Sequence, residues 1–204
     1  MTLIYGTKNK AKLESMGKWL ESLGLTIIGL EEAGLGGLHE PAENGYSPAE
    51  NARAKARFYF AASGRPTFSA DSGLYFDGLP EKDQPGVHIR RVGGKRLDDN
   101  EMIGHYAGLA RQFGGKITGR YRNALCLITE KGEYEHSGED IASEPFAICA
   151  TPHPRRVEGF PLDCLSIHIE SGMYYYDYEL VGISNSMIME DGFREFFKSS
   201  LKMV

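Results

Sequence analysis

Several functional classes are excluded by what this chain has little of. Its three cysteines, Cys126, Cys149 and Cys164, are odd in number and lack the paired spacing of zinc or redox motifs. They read as core residues of a protein kept in a reducing, cytoplasmic compartment. No apolar run approaches the ~18 residues of a membrane helix, and the opening Met1-Thr2-Leu3-Ile4-Tyr5-Gly6 is too short for a signal-peptide core. The chain is therefore expected to have no membrane partner and to stay where it is made. Positive charge is not in excess either: 23 Lys and Arg against 28 Asp and Glu leave a net charge of −5. That balance gives no global attraction for a nucleic-acid polymer, so none is expected as a partner, and any phosphate must be gripped locally by placed lysines and backbone amides. The six histidines show no metal-ligand spacing, and no internal repeat or low-complexity linker interrupts the sequence.

What is present suits an α/β protein. At 204 residues and 41% hydrophobic, the chain can bury a sizeable core as one large domain or two closely packed lobes. Leu3-Ile4-Tyr5 reads as a short buried strand, Gly6 as a turn, and Leu13, Met16, Leu20 and Leu23 as one face of a helix starting near Asn9. A second strand is expected over 25–30, followed by an exposed acidic and glycine-rich loop over 31–46. Ser47-Pro48-Ala49-Glu50 announces a helix: serine at the N-cap, proline at the first helical position and glutamate three residues on form a capping box. That helix carries Ala49, Ala52 and Ala56 for close packing and places Asn51 and Lys55 one turn apart on a polar face. Residues 67–70 should form a short strand ending in an Asp71-Ser72-Gly73 turn. Residues 98–113 fit a helix with Met102, Ile103, Tyr106 and Ala110 inward. The second half is sheet-rich, with strands near 124–128, 133–136, 145–150 and 162–169, and a closing helix spans 187–203 with a stripe of Phe193, Phe196, Phe197 and Leu201.

Two places carry chemistry. Thr7-Lys8-Asn9-Lys10-Ala11-Lys12 joins a strand to a helix start, where free N–H groups, the helix dipole and three ammonium groups can hold an anion. Lysines at that end oppose the macrodipole, and a bound triphosphate gives their placement a reason; a solvated basic helix start is the bland alternative. Glu43, in the acidic loop, and Asp71, at a strand end, are the candidate ligands for Mg²⁺, which prefers a few carboxylates together with water and phosphate oxygens. Taken singly, each is more often an ordinary surface or turn group. Glu50 is explained by its cap and stays secondary. Ser72 lacks an adjacent histidine, so its hydroxyl suits a phosphate contact better than nucleophilic attack.

These segments, with Glu43-Asn44-Gly45, Glu50-Asn51-Ala52, Lys55-Ala56 and Ala70-Asp71-Ser72-Gly73-Leu74 in order and at matching spacing, resemble the inosine triphosphatase family. Pro85-Gly86-Val87 and Asn100 extend the likeness, which is convincing over 1–113 and holds in outline beyond. The resemblance implies an elongated mixed β-sheet with flanking helices, two lobes around a central cleft within one domain over 1–204, and commonly a homodimer. It also implies Mg²⁺-dependent hydrolysis of ITP, XTP and their deoxy forms to the monophosphate and pyrophosphate. Carried over by position, Thr7, Asn9 and Lys12 hold phosphates, Lys55 neutralises the same charge, Glu43 and Asp71 bind Mg²⁺, Asp71 activates water, and Ser72 contacts the nucleotide. Lys8, Lys10 and Asn51 complete the expected substrate-binding set, and Asp71, Lys12 and Lys55 the catalytic one.

The likeness thins in two places. The family's second acid is Ala70 here, and its Gly-Phe-Gly-Tyr-Asp-Pro segment becomes Gly159-Phe160-Pro161-Leu162-Asp163-Cys164. That segment keeps an aromatic, Phe160, to stack on a base, and an acid, Asp163, to accept from one. The family's Ser-His-Arg, which reads the purine keto group, becomes Ser184-Asn185-Ser186, and its preceding lysine falls near Leu180. The base preferred therefore stays open. The alternative to a pyrophosphohydrolase is a nucleotide-binding regulator on the same fold that has lost turnover. A purely structural protein would not need Thr7 to Lys12, Glu43 and Asp71 together.

Overall fold

The computed structural model describes residues 1–42, 44–180 and 187–203. The chain begins with β1 (Thr2–Tyr5), α1 (Lys10–Leu20), β2 (Thr26–Ile28), α2 (Pro48–Ser63) and β3 (Thr67–Phe76). A small hairpin of β4 (Arg91–Val92) and β5 (Lys95–Arg96) leads to α3 (Asp99–Gln112). Then come β6 (Lys116–Thr129), β7 (Gly132–His136), β8 (Phe146–Cys149), β9 (Ser166–Ile167), α4 (Tyr175–Leu180) and α5 (Met187–Leu201). The main sheet runs β2-β1-β3-β6-β8-β9, with β7 also on β6. It is parallel from β2 through β1 to β3 and antiparallel where β6 meets β7 and β8 and where β8 meets β9. The expected mixed sheet with flanking helices is thus the observed fold.

The helix starts follow local chemistry. Asn9 caps α1, its side chain accepting the Lys12 N–H at 3.2 Å. Asp98 and Glu101 form a complete capping box on α3, each carboxylate taking the other residue's amide. Ser47 caps α2 as expected, but the Glu50 carboxylate accepts from the Tyr46 N–H at 2.7 Å, one residue further back than a capping box reaches. Gly64 closes that helix in the left-handed conformation, φ 64°, which costs glycine little.

Two compact units result, one of Met1–Ser72, Arg122–Ala142 and Ile188–Val204, the other of Gly73–Tyr121 and Ser143–Met187. In the first, alternate β1 residues face opposite ways. Leu3 and Tyr5 pack with Phe68, with Met16 and Leu20 of α1, and with Phe193, Phe196 and Phe197 of α5, whereas Ile4 packs with Ile28, Leu35 and Tyr59. Trp19 meets Phe193 edge-on at 5.3 Å, and Phe68 stacks on Tyr5 at 4.5 Å. Ala52 and Ala56 let α2 approach Ala124 and Cys126 of β6 closely. The second unit is centred on α3, whose Met102, Ile103, Tyr106 and Ala110 pack against Leu74, Phe146 and Ile148.

All three cysteines are free and buried. Burial, followed by the charges of Glu133 and Glu135, pushes the Cys126 thiol up to about 12, so it stays protonated. No described helix is long and apolar enough to cross a membrane.

Three further expectations are corrected, and one helix was not foreseen. Strand β3 does not stop at Ala70; it runs through Asp71, Ser72 and Gly73 to Phe76, because the polar side chain at 71 finds buried partners and the backbone has no need to turn. The 31–46 stretch is not wholly exposed: hydrogen-bonded turns from Gly29 to Leu38 bury Leu35 with Ile4 and Tyr59. The strand expected over 162–169 is a 3-10 turn, Asp163–Leu165, followed by the two-residue β9. Helix α4 is too short for periodicity to reveal it.

Candidate active site

The register of β1 and β3 positions the site. Ile4 pairs with Thr67 and Tyr5 with Phe68, after which the chain leaves the sheet at Gly6 and enters α1 while β3 continues. Asp71 therefore lies past the carboxyl end of β1, where open α/β sheets hold their ligands. Contacts fasten this junction. The Gly6 N–H donates to the Phe68 carbonyl at 2.8 Å, and the Ser69 hydroxyl donates to the Gly6 carbonyl at 3.0 Å. A Cβ on Gly6 would lie 2.4 Å from Ser69 Oγ and 2.8 Å from the Tyr59 ring, so only glycine lets strand, turn and helix approach this closely. Thr7 Oγ1 accepts the Asn9 N–H at 3.1 Å, which shapes the turn before the α1 cap.

Helix α2 delivers the partners of Asp71. Asn51, Lys55 and Tyr59 succeed one another at four-residue intervals and form one stripe. Lys55 Nζ donates to Asp71 Oδ1 at 2.7 Å, and Asn51 Nδ2 donates to Oδ2 at 3.1 Å. Sequence spacing put Asn51 and Lys55 on one face correctly, but that face is not solvated: Asn51 is 2% exposed and Asp71 8%. A buried carboxylate needs a countercharge and hydrogen bonds to remain ionised, and these two side chains provide both. Asn51 Oδ1 accepts the Gly45 N–H at 3.0 Å. Burial, then the Asp71 charge, holds the Tyr5 phenol well above its ordinary range, so Tyr5 is neutral beside the acid.

A scan of family models matches residues 3–149 to the Ham1 family. The chain belongs to the Ham1 family. A dITP/XTP pyrophosphatase of Geobacter sulfurreducens is 35% identical over 175 residues, covering 83% of this chain and 81% of the relative. A dITP/XTP pyrophosphatase of Rhodopseudomonas palustris is 30% identical over 165 residues, covering 79% and 74%. A HAM1 protein from Coxiella burnetii superposes with a TM-score of 0.71 over 98% of this chain and 99% of its own, at 22% identity. That likeness speaks for the fold, and the Ham1 assignment agrees with the family read from the motifs.

Among the other residues expected at the site, Lys8 Nζ donates to the Leu38 carbonyl at 3.0 Å and so tethers the turns after β2. Lys10 is exposed at the start of α1, and Lys12 is half-buried in its first turn. Ser72 follows Asp71 in an extended strand, so its side chain leaves by the opposite face. Phe160 and Asp163 lie in the second unit, in a turn where the Asp163 N–H donates to the Phe160 carbonyl at 3.3 Å. Asp99 holds that turn, accepting the Gly159 N–H at 3.1 Å and pairing with Arg90 at 2.7 Å. Glu43, the side chain of Leu180 and Ser184 to Ser186 lie outside the described residues.

The chemistry of Asp71 fits a hard cation. A carboxylate has roughly four acceptor positions, and the described residues take one on each oxygen. Sequence reasoning missed the two positioning groups, Ser69 and Gly45. Their signal was present in Gly6, a glycine directly after a buried strand, and in Glu43-Asn44-Gly45, which ends two residues before the Ser47 cap.

Proposed function

We propose that this chain hydrolyses a nucleoside or deoxynucleoside triphosphate outside the standard set to its monophosphate and pyrophosphate, with Mg²⁺ held by Asp71 and Glu43. The observation that carries the reading is the buried Asp71 carboxylate, bound by Lys55 and Asn51 past the end of β1 in a Ham1 chain whose relatives are named dITP/XTP pyrophosphatases. When bound, the ion neutralises phosphate charge and polarises the reacting anhydride. Lys12 and Lys55 take up the charge that grows on the leaving pyrophosphate. Thr7, Lys8, Asn9 and Lys10 bind the phosphate chain at the α1 start. Asp71 accepts a proton as water oxygen bonds to the α-phosphorus and the α–β bridging bond breaks. In the second unit, Phe160 and Asp163 offer the residue types that base recognition calls for, an aromatic face and an acceptor. The reading takes 1–204 as one functional domain, acting in the cytoplasm as a homodimer.

Ala70, in place of the family's second acid, motivates the second reading, a regulator that binds nucleotide without turning it over. Product analysis with Mg²⁺ over a panel of standard and modified NTPs separates the two. Pyrophosphate release that disappears in Asp71→Asn supports the enzyme, and nucleotide binding with no product supports the regulator.

A further inference from the structure

We propose that Asn51 is a positioning residue: its carboxamide bridges the Asp71 carboxylate to the backbone of the segment entering α2, and it makes no contact with substrate. The inference rests on the reading of Asp71 as a metal ligand and changes the role that sequence position suggests for Asn51.

Both ends of the carboxamide are committed. Nδ2 donates to Asp71 Oδ2 and Oδ1 accepts from the Gly45 N–H. The amide has one workable orientation, because a backbone N–H can only donate and a carboxylate paired with Lys55 can only accept. At 2% exposure neither group can exchange its partner for bulk water without a desolvation cost. Asparagine is the side chain that meets both demands at this length: aspartate lacks the donor for Asp71, and leucine lacks both groups. The partner segment is shaped to match. A Cβ on Gly45 would come within 2.6 Å of Asn51 Oδ1 and 2.7 Å of Glu50 Cβ, and the next amide, Tyr46 N–H, is held by Glu50. The first turn of α2 thereby grips two successive amides and, through Asn51, fixes the rotation of the Asp71 carboxylate that Lys55 alone would leave free to pivot.

The test compares Asn51→Leu, which removes both bonds, with Asn51→Asp, which keeps an acceptor for Gly45, removes the donor to Asp71 and sets a second carboxylate against it. On metal-free protein, amide hydrogen exchange at Gly45 should remain slow in the wild type and Asn51→Asp and become fast in Asn51→Leu. With Mg²⁺, Asn51→Leu should lose kcat and require more Mg²⁺ for half-saturation by about ten- to hundredfold, the effect of one hydrogen bond to a charged group, while KM for the triphosphate changes less than about threefold; Asn51→Asp should lose kcat too, because its added carboxylate repels Asp71. A raised KM with unchanged kcat and Mg²⁺ requirement would make Asn51 a substrate contact and overturn the proposal. So would a Gly45 amide that exchanges rapidly in the wild type. If wild-type protein releases no pyrophosphate, the functional reading fails by itself; the bridge is then judged by the Gly45 exchange pattern and by calorimetric titration of Mg²⁺ alone, where equal affinity in wild type and both variants would reject it. Should Asn51→Leu fail to fold, Asn51→Asp and Gly45→Ala carry the same comparison, Gly45→Ala being expected to shift the Mg²⁺ requirement in the same direction.

Discussion

Helix α2 makes ion pairs on two sides, and they differ in everything except formal charge. On one side Lys55 meets Asp71, with side chains 14% and 11% exposed. On the other, Arg53 takes Glu135 with both its Nε and its Nη2, the latter at 2.7 Å, and Arg57 takes Glu133 at 2.9 Å, with exposures from 29% to 61%. The exposed pairs include a two-point contact from Arg53 to Glu135, yet water and salt screen them, and such pairs contribute little to stability. The buried pair is costly to assemble and costly to break, since either charge left alone is stranded in a poorly solvated site.

The largest expected break in this comparison is Asp71→Asn, which preserves shape and removes charge. Turnover should fall at least about a thousandfold while the circular-dichroism spectrum stays that of the wild type; retained activity would show that the buried pair is structural, like its exposed counterparts. Next is Lys55→Met, which leaves Asp71 buried without its countercharge. Stability should drop by about 3 kcal/mol, read as a melting temperature lower by roughly 6–12 °C, and Mg²⁺ should restore more of it than it adds to the wild type. Lys12→Ala sharpens the picture on the phosphate side: titrations should show triphosphate binding weakened more than monophosphate binding, and equal weakening would remove Lys12 from the cradle.

Arg53→Ala gives the smallest effect. Activity should be unchanged, with a slight fall in melting temperature at neutral pH. The Arg53 hydrogen bond holds the Glu135 carboxyl below its usual range. A group depressed in the folded state stabilises above its unfolded pKa and loses that contribution as pH falls. The melting curves of Arg53→Ala and wild type should therefore converge on acidification below the carboxylate range.

The contrast between the pairs also explains what was legible in the sequence. Local rules found the start of α2 from Ser47-Pro48 and both ends of α3 to within a residue, because caps and four-residue periodicity are short-range properties. They also placed Asn51 and Lys55 together. Which side of the helix faced the protein was decided by residues 16 to 20 positions away, at Asp71 of β3, and polar residue type pointed to solvent. Asp71-Ser72-Gly73 misled for the same reason: its composition is that of a turn, but tertiary hydrogen bonds to Asp71 allow the strand to continue. The lysines before and within α1 were recognisable as a group, whereas Lys8, bonded to the Leu38 carbonyl, is drawn toward a distant turn by a contact that no spacing rule contains.

The docking of Trp19 against Phe193 has an optical consequence. Trp19 is the only tryptophan in the chain, and it sits where α1 meets α5, with the Arg194 guanidinium donating to its carbonyl at 3.5 Å. Intrinsic fluorescence excited at the indole band therefore reports on a single junction, the seating of the last helix on the first. A wavelength shift on denaturant titration would time the release of α5, independently of any signal from the second unit.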